Sequence, residues 1–190
     1  EAMIGHHYLR GYTDASPAYT GTSLSADGNA GVLGAYAVVM ALRHRDRTGE
    51  GQQVEMPLAE AFLPNIGEFI LDYTMNGRVA PPQGNTHPHH APHNVYATVG
   101  EDQWIAIDVG TDEEFVALCG VLGAPALASD TRFAAGTGRL EHRDELDGEL
   151  AELIAPLDKE RLFRELQAVG VIAAPLHDEL DALADEQLAA

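Results

Sequence analysis

From Gly28 to Leu42 the chain reads GNAGVLGAYAVVMAL, fifteen residues with no charge and Asn29 as the one strongly polar side chain. A helix of this composition has no polar face to turn toward water, so the run predicts a central helix buried on nearly every side. It is too short to cross a bilayer, and the charged segment Arg43–Arg47 that follows fixes its end within an aqueous domain. Asp27 stands immediately before the run, where its carboxylate can accept hydrogen bonds from the unpaired amides of a first turn.

The rest of the chain supplies material to bury such a helix. Hydrophobic residues make up 45 % of 190, which separates this acidic chain from disordered ones of similar charge. Eleven Lys and Arg against 30 Asp and Glu give a formal charge of −19. That balance excludes nucleic acid as a partner and disfavours an anionic membrane surface, since both require clustered cations. Cys119 is the single cysteine, so no internal disulfide or four-thiolate zinc site can form. This suits a reducing compartment, and a cytoplasmic location is expected. The sequence begins with Glu1, and no basic segment followed by an apolar one precedes the globular pattern. The expectation is a processed chain or a piece of a longer one.

Residues Thr48 to Gly51 read as a turn into a short strand at Gln53–Met56. An amphipathic helix follows over Leu58–Met75, with Phe62, Ile66, Phe69, Ile70 and Tyr73 at helical spacing, a kink at Pro64 and a stop at Asn76-Gly77. Val79–His93, rich in proline and histidine, reads as a connector. Beyond it, Val95–Val99 and Trp104–Val109 alternate as a hairpin about Gly100-Glu101-Asp102. Thr111 with Glu114 forms a capping box, helices are expected over Asp144–Ile154 and Lys159–Val169, Gly170 ends the second, and Val171–Leu176 precedes a last acidic helix. The organisation is a helix–strand–helix fragment of α/β character over 1–76, a Pro/His-rich connector over 77–93, and a smaller α+β domain over 94–190.

Three features bear on chemistry. Gly28, Gly31 and Gly34 recur every three residues behind Asp27. Each glycine in a helix costs roughly 1 kcal/mol relative to alanine, so something must approach the backbone closely. Asp27 is then either an N-cap beside tight helix packing or a carboxylate nucleophile or base at the positive end of a helix, and local sequence does not choose. The segment GNTHPHHAPH places His87, His89, His90 and His93 within seven residues. Its prolines deny a helical i, i+4 ligand pair and no cysteine or nearby carboxylate joins, so hydrogen bonding to an anion or substrate carbonyl is preferred over metal binding. Arg43, Arg45 and Arg47 oppose the negative end of the apolar helix, and Cys119, within an apolar stretch, reads as a core residue.

Taken in order, SADGNAG around Asp27, ALRHRDRTGEGQQVEMPLAEA from Ala41 to Ala61, GNTHPHHAPHNVY, WIAIDVG, the Asp130-Thr-Arg-Phe stretch, Arg139 and LQAVGVIAAPLH resemble the family III CoA-transferases, the CaiB/BaiF family. The resemblance implies an enzyme that moves coenzyme A from an acyl-CoA donor to a small carboxylic acid, with CoA thioester as substrate and no bound cofactor or metal. It implies Asp27 as nucleophile, forming an aspartyl anhydride and then an aspartyl-CoA thioester. Gly28, Asn29 and Gly31 match the family's residues beside it and would admit the thioester. The glycine-rich shielding loop of some members is replaced here by Gly84, Asn85, His87, His89 and His90, and the three histidines are expected to tune acceptor choice. Family chains are considerably longer, with a Rossmann-like N-terminal portion that holds the CoA nucleotide and a C-terminal return. They form interlocked dimers, homo- or hetero-oligomeric, so a fragment alone is expected to be inactive. An acyl-CoA racemase of the same superfamily, faintly echoed by Gly5-His6-His7-Tyr8, and a non-catalytic subunit are the alternatives.

Overall fold

The apolar run lies within a helix of 24 residues, α2 (Ser25–Thr48), in a computed structural model that describes residues 2–12, 15–16, 25–185 and 188. The chain divides into two units, Glu1–Gly84 and Asn85–Ala190.

In the first unit a short helix α1 (His6–Leu9) precedes α2, and α3 (Leu58–Phe62), a 3-10 turn over Leu63–Ile66 and α4 (Gly67–Asn76) follow it. The expected single amphipathic helix is thus broken at Pro64, which cannot donate to the preceding turn. Phe62 and Ile66 turn inward and bury Ala26, with Ile4, Leu9 and Phe69 around them. Asn29 Nδ2 donates to the Ala61 carbonyl at 2.7 Å and ties α2 to α3.

Two expectations are corrected in this unit. Helix α2 is not buried: Ala26 and Ala30 alone are enclosed, and Val32 (72 % exposed), Tyr36, Val38 and Val39 face solvent. An all-round apolar sequence shows that a helix lacks a polar face, but not which element covers it; the described cover is Phe62 and Ile66 against its first turn. Gln53–Met56 forms no strand, because no described segment makes a ladder with it and an unpaired strand leaves its backbone groups unsatisfied. The α/β character expected here is therefore absent from the described residues of this unit.

The second unit is built on a three-stranded antiparallel sheet in the order β1 (His93–Ala97), β2 (Trp104–Asp108), β3 (Ile172–Leu176). The hairpin pairs His93 with Asp108 and Ala97 with Trp104, as its alternation predicts. Ile105 and Ile107 of β2 point into a core completed by Val109, Phe115, Leu118, Phe133, Leu146, Leu150, Ile154 and Leu166. Val109 follows β2 directly, Phe133 lies in the loop before Gly136, and the others come from α5 (Asp112–Val121), α8 (Arg143–Ile154) and α9 (Lys159–Ala168). Thr111 caps α5 through Glu114 as read from sequence. Two short helices, α6 (Pro125–Ser129) and α7 (Gly136–Glu141), were not expected; each is held by tertiary contacts rather than by its own periodicity. Helix α10 (Glu179–Ala184) closes the unit and is docked by Lys159, whose Nζ reaches Asp181 at 2.6 Å. Cys119 is fully buried, and burial pushes its thiol up to about 11. No described helix is long and apolar enough to cross a membrane.

Candidate functional site

Ser25 and Ala26 are already helical in α2, and Ala26 is buried against Phe62 and Ile66. Asp27 is therefore not the N-cap expected from sequence. It lies in the first turn as the acidic residue, exposed, at the end where the helix dipole is positive. A Cβ at Gly28 or Gly31 would meet nothing within 4 Å, so tight packing among the described residues does not account for either glycine. Gly34 alone has a neighbour, Met56 Cε at 3.4 Å. Asn29 spends its amide on the Ala61 carbonyl, which fixes the second turn of α2. The surface beside Asp27 thus combines an exposed carboxylate and bare backbone.

The expected loop residues fall in both units. Gly84 belongs with the first: its N–H donates to the Gly11 carbonyl at 3.0 Å, and a Cβ there would stand 2.8 Å from the Tyr12 ring. Asn85, His87, His89 and His90 belong with the second. Asn85 bonds to the Asn94 side chain at 3.2 Å, and its carbonyl accepts from His93 Nδ1 at 2.5 Å. The rings of His87 and His90 are 4.3 Å apart, and those of His87 and His93 are 5.3 Å apart. His87 Nδ1 accepts the His89 amide, and burial with the neighbouring His90 and His93 holds its pKa below the ordinary imidazole value. No group of three or more His, Cys, Asp or Glu among the described residues is arranged to hold a metal.

Two residues that sequence reasoning did not assign organise this loop. Asp108, at the end of β2, accepts from His90 Nδ1 at 2.7 Å. The hairpin register was the available signal, since pairing His93 with Asp108 brings the preceding histidines to that carboxylate. Arg139, 1 % exposed, donates to the carbonyls of Ala91 (2.8 Å), Phe133 (3.0 Å) and Thr111 (3.3 Å), and lies over the Phe115 ring. On α8, Asp147 accepts from Tyr96 Oη at 2.5 Å and Asn94 Nδ2 at 2.8 Å; burial and that carboxylate push the Tyr96 phenol far up.

Comparison with known proteins shows what this chain is similar to. It is 32 % identical over 185 residues to a succinyl-CoA–D-citramalate CoA-transferase of Chloroflexus aurantiacus, covering 97 % of this chain and 46 % of that protein. It is 30 % identical over 190 residues to a succinate–glutarate CoA-transferase of Agrobacterium fabrum, covering 100 % of this chain and 47 % of that one. A crystal structure of a CaiB/BaiF family protein from Brucella suis superposes with a TM-score of 0.89 at 31 % identity, over 99 % of this chain and 49 % of the other. The chain thus spans about half the length of the curated relatives it matches. The sequence pattern of the family described as "CoA-transferase family III" covers residues 1–190, and the chain belongs to that family.

Proposed function

We propose that these residues serve an acyl-CoA:carboxylate CoA-transferase in which Asp27 is the nucleophile. The observation that carries the reading is the exposed Asp27 carboxylate in the first turn of α2, flanked by Gly28 and Gly31 with open space where side chains would be. The Asp27 oxygen attacks the thioester carbonyl of the donor; the C–S bond breaks, leaving an aspartyl mixed anhydride and CoA thiolate. The thiolate attacks the aspartyl carbonyl and expels the donor acid, giving an aspartyl-CoA thioester. The acceptor carboxylate attacks that thioester, forming a second anhydride and releasing thiolate. The thiolate then takes the acceptor acyl group and frees Asp27.

A carboxylate is a weak nucleophile, so positioning must supply much of the rate. Amide donors of a first helical turn suit the oxyanion of each tetrahedral step, and one such donor is worth about 3 to 4 kcal/mol in a dry site. Asn29 holds the turn in place through Ala61. The names of the two relatives, which join succinyl-CoA to D-citramalate and succinate to glutarate, favour short dicarboxylic acids as substrates. In this reading the complete enzyme is a cytoplasmic interlocked dimer, homo- or hetero-oligomeric, whose Rossmann-like portion holds the CoA nucleotide.

The test uses the complete protein and Asp27→Asn. Asparagine keeps the size and an oxygen acceptor but cannot form the anhydride. Incubation with acetyl-CoA or succinyl-CoA and trapping with hydroxylamine is expected to modify the Asp27 peptide in the wild type, with transfer lost in the variant. Undiminished transfer by Asp27→Asn refutes the assignment. Solvent deuterium entering the α-carbon of an acyl-CoA with no acceptor present marks a racemase instead.

A further inference from the structure

The dipeptide Asp27-Gly28 carries a reactivity of its own. The side-chain carbonyl of an aspartate can close a five-membered ring onto the backbone nitrogen of the residue that follows. Glycine opposes that closure least, since it has no Cβ to crowd the nitrogen and leaves the backbone freest to turn. In a resting aspartate the reaction is slow, because water or hydroxide is a poor leaving group. Activation for CoA transfer changes the leaving group to a carboxylate, in the anhydride, or a thiolate, in the thioester. Well-oriented groups of one molecule react with an effective molarity of about 10⁵ to 10⁸ M, against an acceptor acid at about 1 mM. Orientation therefore decides whether the activated carbonyl meets the acceptor or its own chain.

The start of α2 is held in an orientation that opposes closure. Asp27 and Gly28 both lie within the helix, and Gly28 is not among the glycines with positive φ. Closure requires the Asp27 Cβ and the Gly28 nitrogen to eclipse about the Cα–C bond, and helical ψ holds them well out of eclipse. Two contacts bracket that bond. On one side Ala26, 3 % exposed, is buried against Phe62 and Ile66. On the other, Asn29 Nδ2 donates to the Ala61 carbonyl at 2.7 Å. Turning the Asp27–Gly28 peptide toward closure unwinds the first turn, which withdraws Ala26 from its packing or breaks the Asn29 bond. Packing at Gly28 itself adds no restraint: a Cβ there would meet nothing within 4 Å.

We propose that Asp27 is also a site of self-inactivation, where the Gly28 nitrogen captures the activated Asp27 carbonyl as a succinimide, and that Ala26 and Asn29 are the positioning residues that restrain it. From the thioester, the N–Cγ bond forms, the Cγ–S bond breaks, and the Gly28 amide proton leaves with the thiolate as free CoA. From the anhydride, the same attack expels the donor carboxylate and gives the amide proton to water. Water then opens the ring at either carbonyl. Opening at Cγ restores Asp27. Opening at the main-chain carbonyl leaves isoaspartate, whose backbone runs through Cβ and whose carboxylate no longer projects as the Asp27 side chain does. The number of cycles one molecule completes is then set by how firmly this turn is held.

This inference rests on the transferase reading and concerns the fate of its intermediates. The complete protein is mixed with acetyl-CoA or succinyl-CoA and no acceptor, and one portion is trapped at once with hydroxylamine to count the Asp27 adduct. The remainder stands at neutral pH until the adduct has decayed, and is digested with a protease that cuts before aspartate but not before isoaspartate. The quantity read is isoaspartate at position 27 per adduct formed. Only molecules that reacted enter that ratio, so a loss of folded protein does not mimic the result. Asn29→Ala is expected to raise it about fivefold, the effect of one hydrogen bond on the population of the unwound turn. Ala26→Gly removes the buried methyl and loosens the backbone, and is expected to raise it by a similar factor. Gly28→Ala crowds the attacking nitrogen and is expected to reverse the rise when combined with Asn29→Ala. Protein given no acyl-CoA is expected to form no isoaspartate in the same time. An unchanged ratio in both Asn29→Ala and Ala26→Gly, or adduct that returns Asp27 alone in all of these proteins, overturns the inference, while the hydroxylamine-trapped adduct leaves the transferase reading standing. Absence of that adduct in the wild type removes the transferase reading itself.

Discussion

Arg139→Met keeps the unbranched stem of Arg139 and removes the guanidinium, which makes it a direct measure of what the buried cation does. Two of the carbonyls it serves, Ala91 and Phe133, lose a buried donor. Leaving such a group unsatisfied costs about 1 to 3 kcal/mol, so the pair places the loss near ~4 kcal/mol. The Asp112 ion pair at 2.9 Å adds little, because the Asp112 side chain is 55 % exposed and also accepts the Gly136 amide. For a unit of this size, with a urea m-value of about 1.5 kcal/mol per M, the midpoint moves by about 2 to 3 M. Trp104 on β2 is the chain's one tryptophan, and its fluorescence follows the unfolding of this unit. Arg132→Met is the control: Arg132 binds Asp130, Glu145 and Glu149 at the surface and is expected to leave the midpoint nearly in place. A shift below about 1 M for Arg139→Met refutes the reasoning, since it means the carbonyls find other partners at little cost.

The remaining predictions concern titration and reactivity. Asp130 is held down to about 2 from the ordinary 3.8 by the Arg132 side chain and then by the Arg132 amide. Its contribution to stability is therefore present above the unfolded value and lost as pH falls from about 4 through about 2. Acid unfolding of Asp130→Asn is expected to show a shallower dependence in that window, and an identical slope rejects the pairing. Cys119, buried and pushed up to about 11, is expected to resist iodoacetamide at about pH 8 until urea is added. Rapid alkylation of the folded chain contradicts the placement.

Where sequence reading succeeded, the determinant was local. Thr111 and Glu114 are three residues apart and cap α5 through each other's backbone. The hairpin followed from alternation about a turn, and α9 ends where Gly170 takes a left-handed φ of +83°. The errors have one origin. Helix α2 was expected to be buried and Gln53–Met56 to pair, yet burial and pairing are properties of two segments, and the second segment was never visible in the first. Helices α6 and α7 escaped for the converse reason: Pro125–Ser129 and Gly136–Glu141 are too short to carry a period, and α7 places one buried residue, Arg139.

The same division runs through the candidate site. Asp27, Gly28 and Gly31 are neighbours along one turn, so their type and spacing are readable in the sequence, whereas the role proposed for Asp27 rests on resemblance to a family and not on geometry alone. His90 and Asp108 are 18 residues apart and meet because the hairpin register brings β2 back beside the loop. Arg139 is 48 residues from Ala91, and nothing in its own segment marks it as the buried cation that holds the loop. A histidine cluster in sequence therefore offers four equivalent imidazoles. Folding makes them unequal: His87 accepts an amide, His93 is turned to the Asn85 carbonyl, and His90 is paired with a carboxylate.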